Sequence, residues 1–150
     1  MGSALADDGA RIEFSEYGNP RAPTLVLVHG ITESREAWAP IVPALAEHWR
    51  VVAVDLRGHG ESERRGPYDP VTLASDVHAV VRALELEAPL MVGHSLGGVV
   101  VSAYAGSGFT ARGVIDVDQP LALGAFKAAL EPLMPLLRGE PEEFASAIGV

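Results

Sequence analysis

The chain has 150 residues, which is enough for one domain with its own hydrophobic core. Its formal net charge of −9 argues against nucleic acid or an anionic membrane surface as a partner, because both need clustered Lys and Arg. It has no cysteine, which excludes disulfides and thiolate metal ligands and favours a cytoplasmic protein, although secreted bacterial enzymes can also lack cysteine. No stretch approaches the roughly 18 apolar residues of a membrane span, and no signal peptide is visible.

The first part of the sequence predicts strands. Residues 11–17 alternate polar and apolar side chains, as in a half-buried strand. The turn signal Asp8-Gly9 predicts a short partner strand before it. Residues 24–28 (TLVLV) are a continuous run of leucine and β-branched side chains, which is typical of a strand buried on both faces.

The remainder of the predicted core alternates helices and strands. Helical periodicity spans 33–48, where Pro40 and Pro43 restrict the position at which a helix begins. Further strands are predicted at 51–54, 90–92 and 113–117, and further helices at 70–86 and 96–105. Because buried strands alternate with helices, we predict an α/β fold with a mostly parallel sheet and helices on both faces.

The sharpest chemical signal is G-x-S-x-G at residues 93–97, between a predicted strand and a predicted helix. That context is the one a nucleophile elbow requires. A serine on such a tight turn projects its Oγ above the sheet, and Gly93 and Gly97 avoid the clash of a Cβ as the turn closes. The helix N-terminus points N–H groups at charge that develops beside the serine. We therefore predict Ser95 as a catalytic nucleophile.

A second segment, His29-Gly30-Ile31, follows the first buried strand, where an α/β sheet opens its ligand crevice. Together with the Ser95 turn it can supply two converging backbone N–H groups, from Ile31 and Leu96, to the oxyanion of a tetrahedral intermediate. Gly30 allows the backbone to approach closely. We interpret His29 as a residue that orients the loop rather than as an acid or a base.

The segment 55–62 (DLRGHGES) is a polar loop with two glycines after the second buried strand. We interpret it as a structural loop, pinned by Arg57 and carboxylates at the rim of the crevice. A catalytic role for His59 is disfavoured because this histidine precedes the nucleophile in the chain.

Three motifs in this order and spacing, HGIT, DLRGHGES and GHSLGG, resemble the α/β-hydrolase superfamily, and within it the serine esterase and non-haem peroxidase-like group. The resemblance covers about residues 10–118. It implies Ser95 as nucleophile, oxyanion donors at Ile31 and Leu96, a small-molecule substrate, and no metal or organic cofactor. Haloalkane dehalogenases and epoxide hydrolases carry Asp at the nucleophile position, so the serine argues against those two chemistries.

The family orders its triad as Ser, then Asp or Glu, then His. The histidines of this chain are His29, His48, His59, His78 and His94. All of them precede Ser95, so we expect a companion C-terminal segment to carry the acid and the histidine that acts as general base, with further core strands. Asp118 stands where some members carry the acid, but we prefer to interpret it as a strand-end residue, and the case for Asp116 is weaker.

By the same resemblance, residues 1–119 correspond to the N-terminal part of the hydrolase core, and 120–150 correspond to the beginning of a helical cap. Pro132 and Pro135 break the apolar stretch from 121 to 137 into pieces. Its apolar side chains could line an acyl or ring pocket, or could be buried by packing.

The sequence therefore predicts the N-terminal portion of a serine hydrolase that cleaves a carboxylic ester or related acyl bond through an acyl-Ser95 intermediate. One alternative is a truncated hydrolase that lacks its base and acts as a binding module. Another keeps the fold and catalyses a cofactor-free haloperoxidase, C–C hydrolase or hydroxynitrile lyase reaction. The residues before the predicted cap do not separate these reactions.

Overall fold

Residues 1–118 are the part of the chain that this computed structural model describes. The strands are β1 (Gly2–Leu5), β2 (Arg11–Tyr17), β3 (Thr24–Val28), β4 (Arg50–Val54), β5 (Leu90–His94) and β6 (Gly113–Val117). The helices are α1 (Val42–Ala46), α2 (Pro70–Ala83) and α3 (Leu96–Gly106), and a 3₁₀ turn spans Arg35–Trp38.

The six strands form one mixed sheet in the order β1-β2-β4-β3-β5-β6. The hairpin of β1 and β2 is antiparallel, as the turn signal at Asp8-Gly9 predicts, and β2 pairs antiparallel with β4. The strands from β4 through β3 and β5 to β6 are all parallel. The predicted α/β class with a mostly parallel sheet is confirmed.

One predicted helix is wrong. The helical periodicity over 33–48 gives only the 3₁₀ turn and the five-residue α1. The physical reason is proline: it lacks a backbone N–H and its ring crowds the preceding turn, so Pro40 and Pro43 prevent one continuous helix. Pro43 is tolerated because it lies in the first turn of α1, where its missing N–H would have no helical partner.

The other long helices follow their sequence signals more closely. The Asp69 side chain caps α2 by accepting the N–H groups of Val71 and Thr72, and Pro70 opens the helix. The helix stops at Ala83, before the predicted end at 86, because Leu84 leaves helical geometry and Glu85 has a φ of 51°.

Helices pack on both faces of the sheet. Val26 and Val28 of β3 belong to the apolar cluster that includes α2 and α3. Leu25 and Leu27 belong to the cluster on the opposite face, with the 3₁₀ turn and α1. Within residues 1–118, no helix is long and apolar enough to cross a membrane. The predicted division at 119/120 stays a prediction, because the cap and its apolar residues lie outside the described part of the chain.

Candidate active site

The predicted site residues lie at the carboxyl ends of β3 and β5. These strands are parallel neighbours, with Val28 of β3 opposite Gly93 of β5. Because their registers match, the loop that begins at His29 and the turn that contains Ser95 leave the sheet side by side. The loop after β4 begins at the same edge, since Val28 also lies opposite Val54.

Ser95 is the residue between β5 and α3, and its backbone is in an unusual conformation. Its φ is 50° and its ψ is −114°, a region that residues with a Cβ rarely occupy. Two hydrogen bonds hold it there: the Ser95 N–H donates to the carbonyl of Val117 at 3.0 Å, and its own carbonyl accepts the N–H of Gly98 at 2.9 Å. The surrounding structure thus imposes the strained turn on this serine.

The glycines beside Ser95 are required by close packing. A Cβ on Gly93 would overlap the backbone of Gly97, and a Cβ on Gly97 would overlap the carbonyl of Val28. The first turn of α3 therefore rests directly on the end of β3. This turn can lie beside the loop after β3 only because Gly93 and Gly97 have no side chain.

His29 orients the loop after β3, as the sequence predicts. Its ring is fully buried, and Nε2 accepts the N–H of Leu56 at 3.1 Å. With Nε2 as acceptor, Nδ1 carries the proton and donates to the carbonyl of Gly30 at 2.7 Å. Burial lowers the pKa of His29, although the bond to Gly30 opposes this, so the neutral ring is favoured. The ring ties the loop after β3 to the loop after β4.

The backbone carbonyls of Gly30 and Ile31 both have hydrogen-bond partners. The Gly30 carbonyl also accepts the N–H of Glu33 at 3.2 Å, and the carbonyl of Ile31 faces Nε2 of His59 at 2.7 Å. In residues 1–118, by contrast, no hydrogen-bond partner takes the N–H of Ile31 or of Leu96. Two backbone donors are therefore available on the two adjacent segments.

Two residues at this edge were missed by the sequence reasoning as members of the site. Glu33 Oε2 accepts the N–H of Gly30 at 2.8 Å and lies 3.0 Å from Nδ1 of His94, the residue before Ser95. The pair borders a cavity of about 250 Å³, lined by Glu33, Ala37, Trp38, Ile41, His94 and Val117. The only sequence signal was an acidic residue shortly after Gly30, since the pairing with His94 depends on strand register.

The loop after β4 has the structural role that the sequence predicts. The Arg57 guanidinium donates to both carboxylate oxygens of Asp76 at 2.6 Å, and to Asp8 at 2.9 and 3.2 Å. Asp55 accepts the N–H groups of Arg35 and Glu61 at 2.7 and 3.0 Å. These bonds hold the loop after β4 against α2, the β1–β2 turn and the 3₁₀ turn.

The two candidate acids lie near the end of β6. Asp116 accepts a hydrogen bond from the hydroxyl of Ser102 at 3.1 Å, which engages it on the outside of α3. Asp118 directly follows β6, with a φ of 53° and an exposed side chain. A role for Asp118 in a triad stays a prediction.

A family model described as the alpha/beta hydrolase fold matches residues 23–108, more than half of the chain. This chain belongs to the alpha/beta hydrolase family. The match includes the loop after β3, the loop after β4 and the turn at Ser95.

The chain is also similar in sequence or structure to individual proteins. The bifunctional esterase/perhydrolase of Acinetobacter calcoaceticus is 35% identical over 144 residues, which cover 95% of this chain and 49% of that protein. Protein phosphatase methylesterase 1 of Bos taurus is 37% identical over 133 residues, or 83% of this chain and 34% of that protein. The solved structure of a hydrolase from Pseudomonas aeruginosa has a TM-score of 0.86 and 29% identity, covering 98% of this chain and 57% of that one. The chain spans between 18% and 49% of the length of its curated relatives.

Proposed function

We propose that this chain provides the nucleophile and the oxyanion hole of a serine hydrolase that cleaves carboxylic esters. The observation that carries the proposal is the strained backbone of Ser95 at the head of α3, with φ 50° and ψ −114°. Strain of this kind costs about 1–3 kcal/mol and persists where surrounding contacts impose it, often at functional sites. Relatives named esterase and methylesterase support the ester class.

In the proposed first step, Ser95 Oγ attacks the carbonyl carbon of the ester and gives its proton to a general base. The N–H groups of Ile31 and Leu96 stabilise the oxyanion of the tetrahedral intermediate, where one donor is typically worth about 2.7–4 kcal/mol. The C–O bond to the alcohol then breaks, and the base returns the proton to the leaving alkoxide. In the second step, water attacks the carbonyl carbon of the acyl-Ser95 ester and gives its proton to the same base. The bond to Ser95 Oγ then breaks, the base returns the proton to Oγ, and the carboxylic acid leaves.

The general base of this proposal is a histidine on a companion C-terminal segment, which also carries the acid. Within residues 1–118 no histidine ring is hydrogen-bonded to the Ser95 hydroxyl. The edge of the described sheet supports such a segment, because β6 pairs with β5 alone and Ile115 and Val117 remain 45% and 41% exposed. We propose that further strands pair with β6 at this edge. The cytoplasmic location likewise stays a prediction.

A second candidate reaction is acyl transfer to hydrogen peroxide. A relative named bifunctional esterase/perhydrolase shares 35% identity across 95% of this chain. In this reaction peroxide replaces water as the nucleophile that attacks acyl-Ser95, and a peroxy acid leaves. The acyl-serine intermediate is common to both reactions, so one serine substitution tests both.

The test uses the complete enzyme, meaning this chain together with the companion segment. We expect Ser95→Ala to reduce kcat for a p-nitrophenyl ester on the order of 10⁶-fold, the loss that is typical of a triad serine. A fluorophosphonate is expected to add one adduct by intact mass to the native enzyme and none to Ser95→Ala. Ser102→Ala is the matched control, since Ser102 lies on α3 but contacts Asp116, and it is expected to keep full activity. Ester turnover that survives Ser95→Ala overturns the proposal, and a complete native protein with neither turnover nor a fluorophosphonate adduct overturns it in favour of a binding module.

A further inference from the structure

Glu33 connects the two segments that carry the proposed oxyanion donors. One carboxylate oxygen, Oε2, accepts the N–H of Gly30 at 2.8 Å and lies 3.0 Å from Nδ1 of His94. Gly30 immediately precedes Ile31, and His94 immediately precedes Ser95. The two bonds therefore act on the residues next to the donor loop and next to the nucleophile.

The chemistry of the contact fixes which group donates. An ionised carboxylate can only accept hydrogen bonds, so Nδ1 of His94 carries a proton directed at Glu33. Burial raises the pKa of the Glu33 carboxyl, but the hydrogen bonds from Gly30 and His94 and the electrostatic effect of His94 and His29 together outweigh burial and leave that pKa below its ordinary value. Glu33 is consequently ionised at neutral pH and accepts both bonds at once.

Packing around Gly30 shows how closely these groups approach. A Cβ on Gly30 would lie 2.9 Å from Oε2 of Glu33 and 3.1 Å from Nδ1 of His94. The side chains of Glu33 and His94 nevertheless remain 32% and 34% exposed. Even fully charged pairs this exposed contribute little to stability, typically about 0.2–1 kcal/mol, so a carboxylate–imidazole contact at the same exposure contributes no more. Stability is therefore a weak reason for placing this carboxylate beside the proposed oxyanion hole, where its negative charge opposes the developing oxyanion.

We propose that Glu33 is a positioning residue, which sets the spacing between the N–H groups of Ile31 and Leu96 by holding Gly30 and His94 at the same time. This proposal rests on the proposed function. Its effect belongs to the transition state, because the oxyanion forms only there, and a misplacement of about 1 Å can cost on the order of 10²-fold in rate. His94 acts as the second anchor, and its proton partly offsets the charge of the carboxylate.

The first experiment compares Glu33→Ala with Glu33→Gln in the complete enzyme. We expect Glu33→Ala to lower kcat for a p-nitrophenyl ester by about 10–10²-fold while KM changes little. Glu33→Gln keeps an amide oxygen that can accept both hydrogen bonds, so it is expected to recover most of the lost kcat. Glu36→Ala is the matched control, since Glu36 is a neighbouring glutamate whose side chain is 69% exposed, and its kcat is expected to equal that of the native enzyme.

A double-mutant cycle gives a second readout that a merely structural role would not produce. If Glu33 and His94 act as one unit, Glu33→Ala and His94→Ala each lower kcat, and the double variant is no slower than the slower single variant. Multiplied losses in the double variant overturn the proposal. Thermal melting of each variant accompanies the kinetics. If Glu33→Ala does not fold, His94→Ala decides the matter, because an unchanged kcat in folded His94→Ala overturns the proposal.

The remaining outcomes separate this proposal from the proposed function. Unchanged kcat in folded Glu33→Ala, with activity lost in Ser95→Ala, overturns the positioning role and leaves the serine hydrolase standing. A rise in KM with unchanged kcat also overturns it, because that result assigns Glu33 to substrate binding. Glu33→Gln as slow as Glu33→Ala overturns it too, because the acceptor geometry is then not the cause. Activity that survives Ser95→Ala removes the proposed function itself.

Discussion

The cluster around Arg57 follows β4 and the turn around Ser95 follows β5, on either side of β3 in the sheet, but the two differ in how completely their polar groups are satisfied. Arg57 and Asp76 have side chains that are only 1% exposed, and the guanidinium donates to two carboxylates. At the Ser95 turn, by contrast, the serine has a positive φ, and the N–H groups of Ile31 and Leu96 have no partner among residues 1–118. In the Arg57 cluster the charged groups are hydrogen-bonded to one another, whereas at the Ser95 turn two backbone N–H groups have no partner in the described residues.

This contrast separates stability from activity within one sheet. A buried ion pair that is fully hydrogen-bonded becomes very costly when one partner is removed, because the other charge is left buried. Open donors and a strained turn add nothing to stability, and they are retained where a substrate uses them. Substitutions in the Arg57 cluster are therefore expected to change unfolding, and substitutions at the Ser95 edge to change catalysis.

The largest expected effect on stability comes from Arg57→Ala. This change leaves Asp76 buried without its cation, which typically lowers the free energy of unfolding by about 3–5 kcal/mol. Urea unfolding of the variant against the native chain measures the loss. Arg82→Ala is the control, since Arg82 pairs with Asp7 at the surface, with side chains 52% and 69% exposed, and should cost at most about 1 kcal/mol. Equal losses in both variants would remove the contrast.

Ser95→Gly is expected to raise the free energy of unfolding, whereas Arg57→Ala lowers it. Glycine adopts a φ of 50° and a ψ of −114° without a Cβ clash, so the change relieves about 1–3 kcal/mol of strain. The greater freedom of glycine in the unfolded chain takes back about 0.5–1 kcal/mol. Chemical denaturation should therefore show Ser95→Gly to be more stable than Ser95→Ala, which keeps the Cβ, while both lack ester turnover. A Ser95→Gly variant less stable than Ser95→Ala contradicts the strain argument.

The smallest of these effects is on the loss of folding stability at low pH. The hydrogen bond from Arg57, with a second from the Ala10 N–H, lowers the pKa of Asp8 from 3.8 to about 2. Because the folded pKa is depressed, the stability that Asp8 contributes is present above its unfolded value and is lost as the pH falls from about 4 through about 2. Melting temperatures from pH 5 to pH 2 should fall less steeply in Asp8→Asn than in the native chain. Parallel curves would show that Asp8 is not linked to folding.

The sequence predicts the strands and the tight strand-to-helix turn at Ser95 well because their signals are local. Continuous runs of apolar, mostly β-branched side chains identify β3 and β4, and Gly93 and Gly97 lie two positions before and after Ser95. The single helix over 33–48 fails because its apolar spacing is correct while two prolines forbid continuity. Local patterns also give no strand order, so the position of β4 between β2 and β3 comes only from the structure.

The contact between Glu33 and His94 was not predicted, because it depends on how β3 and β5 are aligned in the sheet. Glu33 and His94 are 61 positions apart in sequence and meet because Val28 lies opposite Gly93. Nothing in either local segment reports that pairing, since a slip of β3 against β5 would separate the two side chains. Backbone donors such as Ile31 are visible to motif reasoning, whereas the side chain that connects two loops is not.

The hydrogen bond from the Ser95 N–H to the carbonyl of Val117 makes the amide of Ser95 a reporter on the end of β6. Amide hydrogen exchanges with solvent only when such a bond opens, and the opening free energy is a property of the cooperative unit that contains it. Deuterium uptake at the Ser95 amide therefore measures how often the final residue of β6 detaches from the turn. Any event that clamps the end of β6 slows uptake at the Ser95 amide, so exchange at this one position reports the state of the neighbouring strand.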